Sequence, residues 1–161
     1  MTPTLMAVPS LAPSPAASPA AALAQISGIV NAPVSANLVL TLPDNTTITA
    51  TTSADGSFVF ADLQPGTYRL EASADGFLTS RLDFTLADGQ SFAAPPATLR
   101  AGDTNGDNVI DVRDAVMVAA NFGGPATSPA ADPNRDGIVD IRDLTIIGSV
   151  FGQSGPVTWG P

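Results

Sequence analysis

Between residues 25 and 100, apolar and polar side chains alternate in short runs broken by Gly, Pro, Asn and Asp. This is the pattern of half-buried strands joined by tight turns. Runs at 26–30, 37–42 and 46–51 predict the first strands, and Pro43-Asp44-Asn45 turns the chain between the last two. Asp55-Gly56 introduces a strand over 57–60, and Gln64-Pro65-Gly66 introduces one over 67–72. Asp75-Gly76 then leads through Phe77-Leu78 into a strand over 81–86, and a last strand is expected near 98–100. About seven strands at this spacing predict an antiparallel sandwich, with Phe58, Tyr68 and Phe77 able to fill its core.

The period changes after Arg100. Ala115, Val118, Ala119 and Phe122 recur at helical spacing, as do Leu144, Ile147, Gly148 and Phe151, and the two faces are expected to pack on each other. Each helical run follows a twelve-residue stretch, Asp-Thr-Asn-Gly-Asp-Asn-Val-Ile-Asp-Val-Arg-Asp at 103–114 and Asp-Pro-Asn-Arg-Asp-Gly-Ile-Val-Asp-Ile-Arg-Asp at 132–143. Oxygen-bearing side chains fall at positions 1, 3, 5, 9 and 12 of both. That spacing suits Ca2+, a hard cation that takes roughly six to eight oxygens and is wrapped by a loop whose alternate residues point inward. The first ligand set is Asp103, Asn105, Asp107, the carbonyl of Val109, Asp111 and Asp114; the second is Asp132, Asn134, Asp136, the carbonyl of Ile138, Asp140 and Asp143. Position 6, commonly Gly, is Gly137 in the second loop and Asn108 in the first, another residue that tolerates a left-handed backbone. Two copies in register, each running into Phe-Gly (Phe122-Gly123 and Phe151-Gly152), form an internal repeat and predict two bound calcium ions.

Composition removes most catalytic chemistry. The chain has no Cys, His or Lys, so disulfides, His-ligated zinc, His-based triads and Schiff-base lysines are all excluded. A net charge of −9 disfavours nucleic acid and anionic membranes. Eight of the fifteen acids are the loop aspartates, so much of the acidity belongs to the calcium sites. The other acids are Asp44, Asp55, Asp62, Glu71, Asp75, Asp83 and Asp88, and nothing in their sequence context sets two of them apart as an acid and base pair. No enzyme is expected. Tyr68 reads as core, and Trp159 is expected to pack against the C-terminal module.

Residues 1–24 carry no charge and are rich in Ala, Pro and Ser. Prolines at 3, 9, 13, 15 and 19 break any helix, which argues against a membrane span. Three readings stand: a disordered leader, the remnant of a signal peptide ending near Ala22-Leu23-Ala24, or an arm that orders against a partner. Weak calcium loops and the lack of Cys point to an exported or cell-surface protein.

At the duplicated loops the sequence resembles a dockerin, a paired calcium-loop-plus-helix module that binds cohesin domains. No helical pattern precedes either loop, and position 12 is Asp in both (Asp114, Asp143) where EF-hands favour Glu. The sequence departs from the dockerin pattern between repeats, where 123–131 is too short and Pro-rich for the usual connecting helix. Further upstream, Gly28-Ile29-Val30, the segments 52–58 and 63–68, and Ala74-Asp75-Gly76-Phe77 resemble the carboxypeptidase regulatory-like, or transthyretin-like, sandwiches. The expected organisation is a leader at 1–24, a sandwich at 25–100, a dockerin-like module at 101–153 and a tail at 154–161. In class it is a multidomain β plus α protein, a seven-stranded antiparallel sandwich followed by two helices with paired EF-hand-type calcium loops.

The dockerin resemblance places partner specificity at loop positions 10 and 11, Val112-Arg113 and Ile141-Arg142. Val116, Met117, Thr145 and Ile146 extend that surface along the helices, and apolar residues beside Arg suit an interface. The competing use of the same residues is packing against the sandwich. The function expected is attachment to a cohesin-like partner. The alternatives are a subunit that polymerises into a calcium-stabilised extracellular filament or surface layer and, behind it, a carbohydrate-binding or carbohydrate-active accessory protein.

Overall fold

The computed structural model describes residues 22–126 and 128–160, so most of the expected leader lies outside the described residues. In the first sheet, β1 (Ala24–Asn31) pairs antiparallel with β4 (Ser57–Leu63) and parallel with the short strands β8 (Ser91–Ala93) and β9 (Ala97–Thr98). The second sheet runs β11-β7-β5-β2-β3, built from β2 (Asn37–Thr41), β3 (Thr47–Thr51), β5 (Gly66–Ser73), β7 (Ser80–Leu86) and β11 (Val157–Thr158). A third, two-stranded sheet pairs β6 (Gly76–Phe77) with β10 (Ala101–Asp103). Alternation does what it predicts: Ile26, Leu38, Leu40 and Leu70 point between the sheets and are fully buried, each contributing about 1.5–3 kcal/mol by leaving water. Tyr68 stacks on Phe84, and Phe84 on Phe92, with ring centroids 5.6 and 5.2 Å apart.

Two expectations change here. The described residues hold eleven strands rather than seven, and three pairings, β1 with β8, β1 with β9 and β7 with β11, are parallel rather than antiparallel. The additional strands span only two or three residues each, too few to show a period of two. The stretch at 154–161 also does more than trail. It carries β11, and Trp159 enters the sandwich core rather than the C-terminal module, edge-on to Phe58 at 6.0 Å and donating its indole N–H to the Pro95 carbonyl at 2.8 Å.

The helical part contains α1 (Val112–Ala120) and α2 (Ile141–Val150), with a one-turn 3-10 helix (Pro129–Ala131) in place of a longer connector. The expected helical faces pack only in part. Val118 and Ile147 are buried and Ala115 and Leu144 partly so; Ala119 and Gly148 are exposed although helical, and Phe122 and Phe151 are exposed for a separate reason. The reason is that α1 has ended at its Asn121 cap, and Phe151, the cap of α2, is already extended at φ −56°, ψ 136°. Helical phase is lost before either phenylalanine. Ile110, Val139 and Leu78 fill the space instead, and Leu78 comes from the sandwich side, between β6 and β7.

Candidate metal centre and docking face

Each loop is held by its own acids. In the first, Asp103 accepts the N–H groups of Gly106 and Asn108, both at 2.9 Å, while Asn105 and Asp107 accept those of Asp107 and Val109. The second repeats this: Asp132 accepts from Gly137 at 2.7 Å, Asn134 from Asp136 and Asp136 from Ile138. Such short-range bonds draw alternate side chains to the inside of the loop, as the spacing predicts. Position 6 takes the left-handed backbone expected of it, φ 64° at Asn108 and 90° at Gly137.

Positions 9 and 12 also start the helices. Asp111 and Asp140 are N-caps, accepting from Arg113 and Arg142 at 2.7 Å, while Asp114 and Asp143 return bonds to the cap N–H groups as capping boxes. Asp114 is completely buried and also receives the Thr104 and Asn105 N–H groups, at 2.8 and 3.2 Å; Asp143 is equally buried and receives that of Asn134. Loop folding and helix initiation are therefore one event.

The paired loops meet indirectly. The position 8 residues Ile110 and Val139 are fully buried, and each bonds to the segment following the other repeat's helix: Ile110 to Gly152 and Gln153, Val139 to Gly123 and Gly124. The repeated Phe-Gly pairs thus have a backbone purpose. Gly123 and Gly152, at φ 79° and 81°, turn the chain so that its peptide groups reach the opposite loop.

The electrostatics fit a cation. Asp103 is buried, which pushes its carboxyl above the usual range, and the Asp114 and Asp107 charges push in the same direction against its two backbone hydrogen bonds. In the second loop Asp132 is 3% exposed and its Oδ1 has no hydrogen-bond partner. A buried carboxylate oxygen left without a donor needs a positive charge. With oxygen ligands only, no imidazole and no thiolate, the donor set is that of a hard ion such as Ca2+. The exposed guanidinium groups of Arg113 and Arg142 reach only the outer edge of the loops, 3.5 Å from Asp107 and Asp136.

On the outer side of the helices Val112, Val116 and Ile141 are 60–64% exposed, next to Arg113 and Arg142. Thr145 is exposed as well, while Met117 and Ile146 are half-buried. Val112, Val116, Ile141 and Thr145 thus face solvent, while Met117 and Ile146 are partly covered.

Four of the sandwich acids have structural partners. Registers between β5 and β7 place Arg69 opposite Asp83 and Glu71 opposite Arg81, with ion pairs at 2.8 and 3.2 Å. Asp44 and Asp55 hold turns through Thr46 and Ser57, hydrogen bonds that lower both carboxyls.

Comparison with known proteins agrees with this architecture. Residues 25–101 match the family model of the carboxypeptidase regulatory-like domain, and residues 101–151 that of the dockerin type I domain. The two matches meet end to end at residue 101. Dockerins of this type are non-catalytic, calcium-binding modules of protein attachment. Two crystal structures of type II Cohesin-X-Dockerin complexes from Acetivibrio cellulolyticus contain the same fold. One, a C-terminal interface mutant, aligns at TM-score 0.67 and 24% identity, and the other, an N-terminal interface mutant, at 0.66 and 24%. Both alignments cover 81% of this chain and 96% of the other. No curated protein sequence matches the chain. Among the described residues, no helix of the dockerin or the sandwich is long and apolar enough to cross a membrane.

Two participants were not legible as such in the sequence. Thr104, buried between loop and helix, donates its hydroxyl to Asp114, and Arg135, at loop position 4, reaches out of the loop to the sandwich. A non-glycine residue at φ 60° is Arg135's local peculiarity, and sequence does not display it.

Proposed function

We propose that this chain is a non-catalytic extracellular attachment protein whose dockerin, folded around two calcium ions, binds a cohesin-type partner. The observation that carries the calcium reading is Asp132 Oδ1, a buried carboxylate oxygen without a donor. One ion is held by Asp103, Asn105, Asp107, the Val109 carbonyl, Asp111 and Asp114. The other is held by Asp132, Asn134, Asp136, the Ile138 carbonyl, Asp140 and Asp143. The duplicated exposed pair at positions 10 and 11 favours docking, because Val112 and Ile141 are too exposed to serve the fold and lie beside Arg113 and Arg142. The two related structures, both Cohesin-X-Dockerin complexes, support the same partner class. The working division is a sandwich at 25–100 and a dockerin at 101–153.

Binding to immobilised cohesins, measured in calcium and in EDTA, tests this. Ile141→Asp and Val112→Asp, at exposed sites, are expected to leave the fold intact. Each should weaken cohesin binding about tenfold or more, the scale of an interface anchor. Undiminished binding by the double variant refutes the docking face.

A second reading, self-assembly, is favoured by one feature. Among the described residues strand β3 pairs only with β2, and it carries no charged residue, which suits its outer edge to another strand. Light scattering at high concentration in millimolar calcium separates the readings. The docking reading expects a monomer; filaments that vanish on deletion of residues 1–21 would replace it with polymerisation.

A further inference from the structure

Loop positions 4 and 6 belong neither to the ligand sets nor to the docking face, and one of them in each loop faces the sandwich. At position 6 of the first loop, Asn108 accepts the Thr79 N–H through its side-chain Oδ1 at 2.9 Å, and its main-chain carbonyl accepts from Gly155 at 2.9 Å. The fit is close enough that a Cβ on Gly155 would stand 2.2 Å from Asn108 Oδ1. At position 4 of the second loop, the Arg135 guanidinium donates to the Asp75 carbonyl and lies 5.6 Å from the centre of the Phe77 ring. A Cβ on Gly76 would come within 3.1 Å of it. Asp103, position 1 of the first loop, is the last residue of β10 and pairs with Gly76. The sandwich stretch 75–79 therefore touches both loops, and its Leu78 lies in the core between the helices.

We propose that residues 75–79 are a strut shared by both loops, so that calcium binding and seating of the sandwich on the dockerin form one linked equilibrium, with Asn108 and Arg135 as its coupling residues. The proposal rests on the calcium reading given above. Its physical basis is preorganisation. Both residues hold left-handed backbone, at φ 64° and 60°, where glycine would be less strained, and in both the side chain is used to grip the sandwich. A loop fixed this way meets the ion with its carboxylates in place, and by reciprocity the ion tightens the seat by the same factor. The coupling explains why the first loop has Asn108 where the motif has glycine.

Isothermal titration of CaCl2 into the full chain tests the proposal through Asn108→Gly and Arg135→Ala, with circular dichroism at saturating calcium to verify folding. An autonomous loop would bind calcium equally well or better with glycine at position 6. A linked loop loses the Thr79 bond, and each variant is expected to bind about tenfold more weakly, within the usual range of coupling factors. Chelation should also red-shift Trp159 emission in the wild type, because Trp159 lies in the sandwich yet follows the dockerin in the chain. Where Arg135→Ala does not fold, Arg135→Lys replaces it; the charge over Phe77 is kept, the fork to Asp75 is lost, and weaker binding is again expected. Wild-type or better affinity in the folded variants overturns the linkage while leaving the calcium sites intact. Absence of any calcium heat in the wild type overturns the calcium reading and the linkage together.

Discussion

Asp114→Ala is expected to unfold the dockerin while calcium is still present. The side chain is completely buried and accepts three main-chain N–H groups, from Thr104 at 2.8 Å, Asn105 at 3.2 Å and Asp111 at 2.7 Å. Truncation orphans all three, at about 1–3 kcal/mol for each donor that water cannot reach. It also removes half of the capping box that starts α1 and one proposed ligand of the first ion. The sum, several kcal/mol, is comparable to the whole stability expected of a small module. Asp114→Asn should fall between, because its oxygen can still serve Thr104 and Asn105 while its amide faces the Asp111 N–H donor to donor. Hydrogen exchange reads the outcome at Ile110, Val118 and Ile147, the buried residues around α1 and α2. Wild-type protection at those amides in the alanine variant would mean that the buried carboxylate is not what organises the loop.

Leu78→Ala is expected to cost about 2–5 kcal/mol, the range for a fully buried leucine whose cavity closes only in part. The informative point is where the loss falls. Leu78 lies in the sandwich by sequence but packs with Ile110, Val118, Val139 and Ile147. The dockerin should therefore lose the stability. Urea unfolding followed by helical circular dichroism and by Trp159 fluorescence separates the two parts, and the helical transition should move to lower urea by more than the tryptophan transition. A loss confined to the Trp159 signal would place Leu78 in the sandwich core and contradict the packing described.

Sandwich and dockerin are interleaved beyond a simple linker. Leu78 crosses from the sandwich into the helical core, and Trp159 crosses back from beyond the dockerin into the sandwich core. Arg100 bonds Gln153 across the same joint. In the proposed docking role this geometry sets the direction in which the exposed Val112 and Ile141 point relative to the sandwich, since the core beneath their helices includes Leu78.

Features that rest on neighbouring residues could be read from the order of amino acids alone. The conformation of the acidic loops was legible because their defining bonds run between residues two to five apart, as from Asn108 to Asp103, and such bonds need only the right residue at the right spacing. The longer strands were legible because alternation over five or more residues marks a buried face, as in β2 and β5. Tertiary structure alone decided the rest. Strands of two or three residues, such as β8 and β11, have no intrinsic preference to display, and they form only where a distant strand, β1 or β7, already offers unpaired backbone. Phe122 and Phe151 continued the helical period in sequence, but each helix ends just before them, so the apolar pattern outlasted the structure that gave it meaning. The roles of Asn108 and Arg135 were hidden for the same reason, since their partners Thr79 and Asp75 lie 29 and 60 residues away and become neighbours only once both cores have formed.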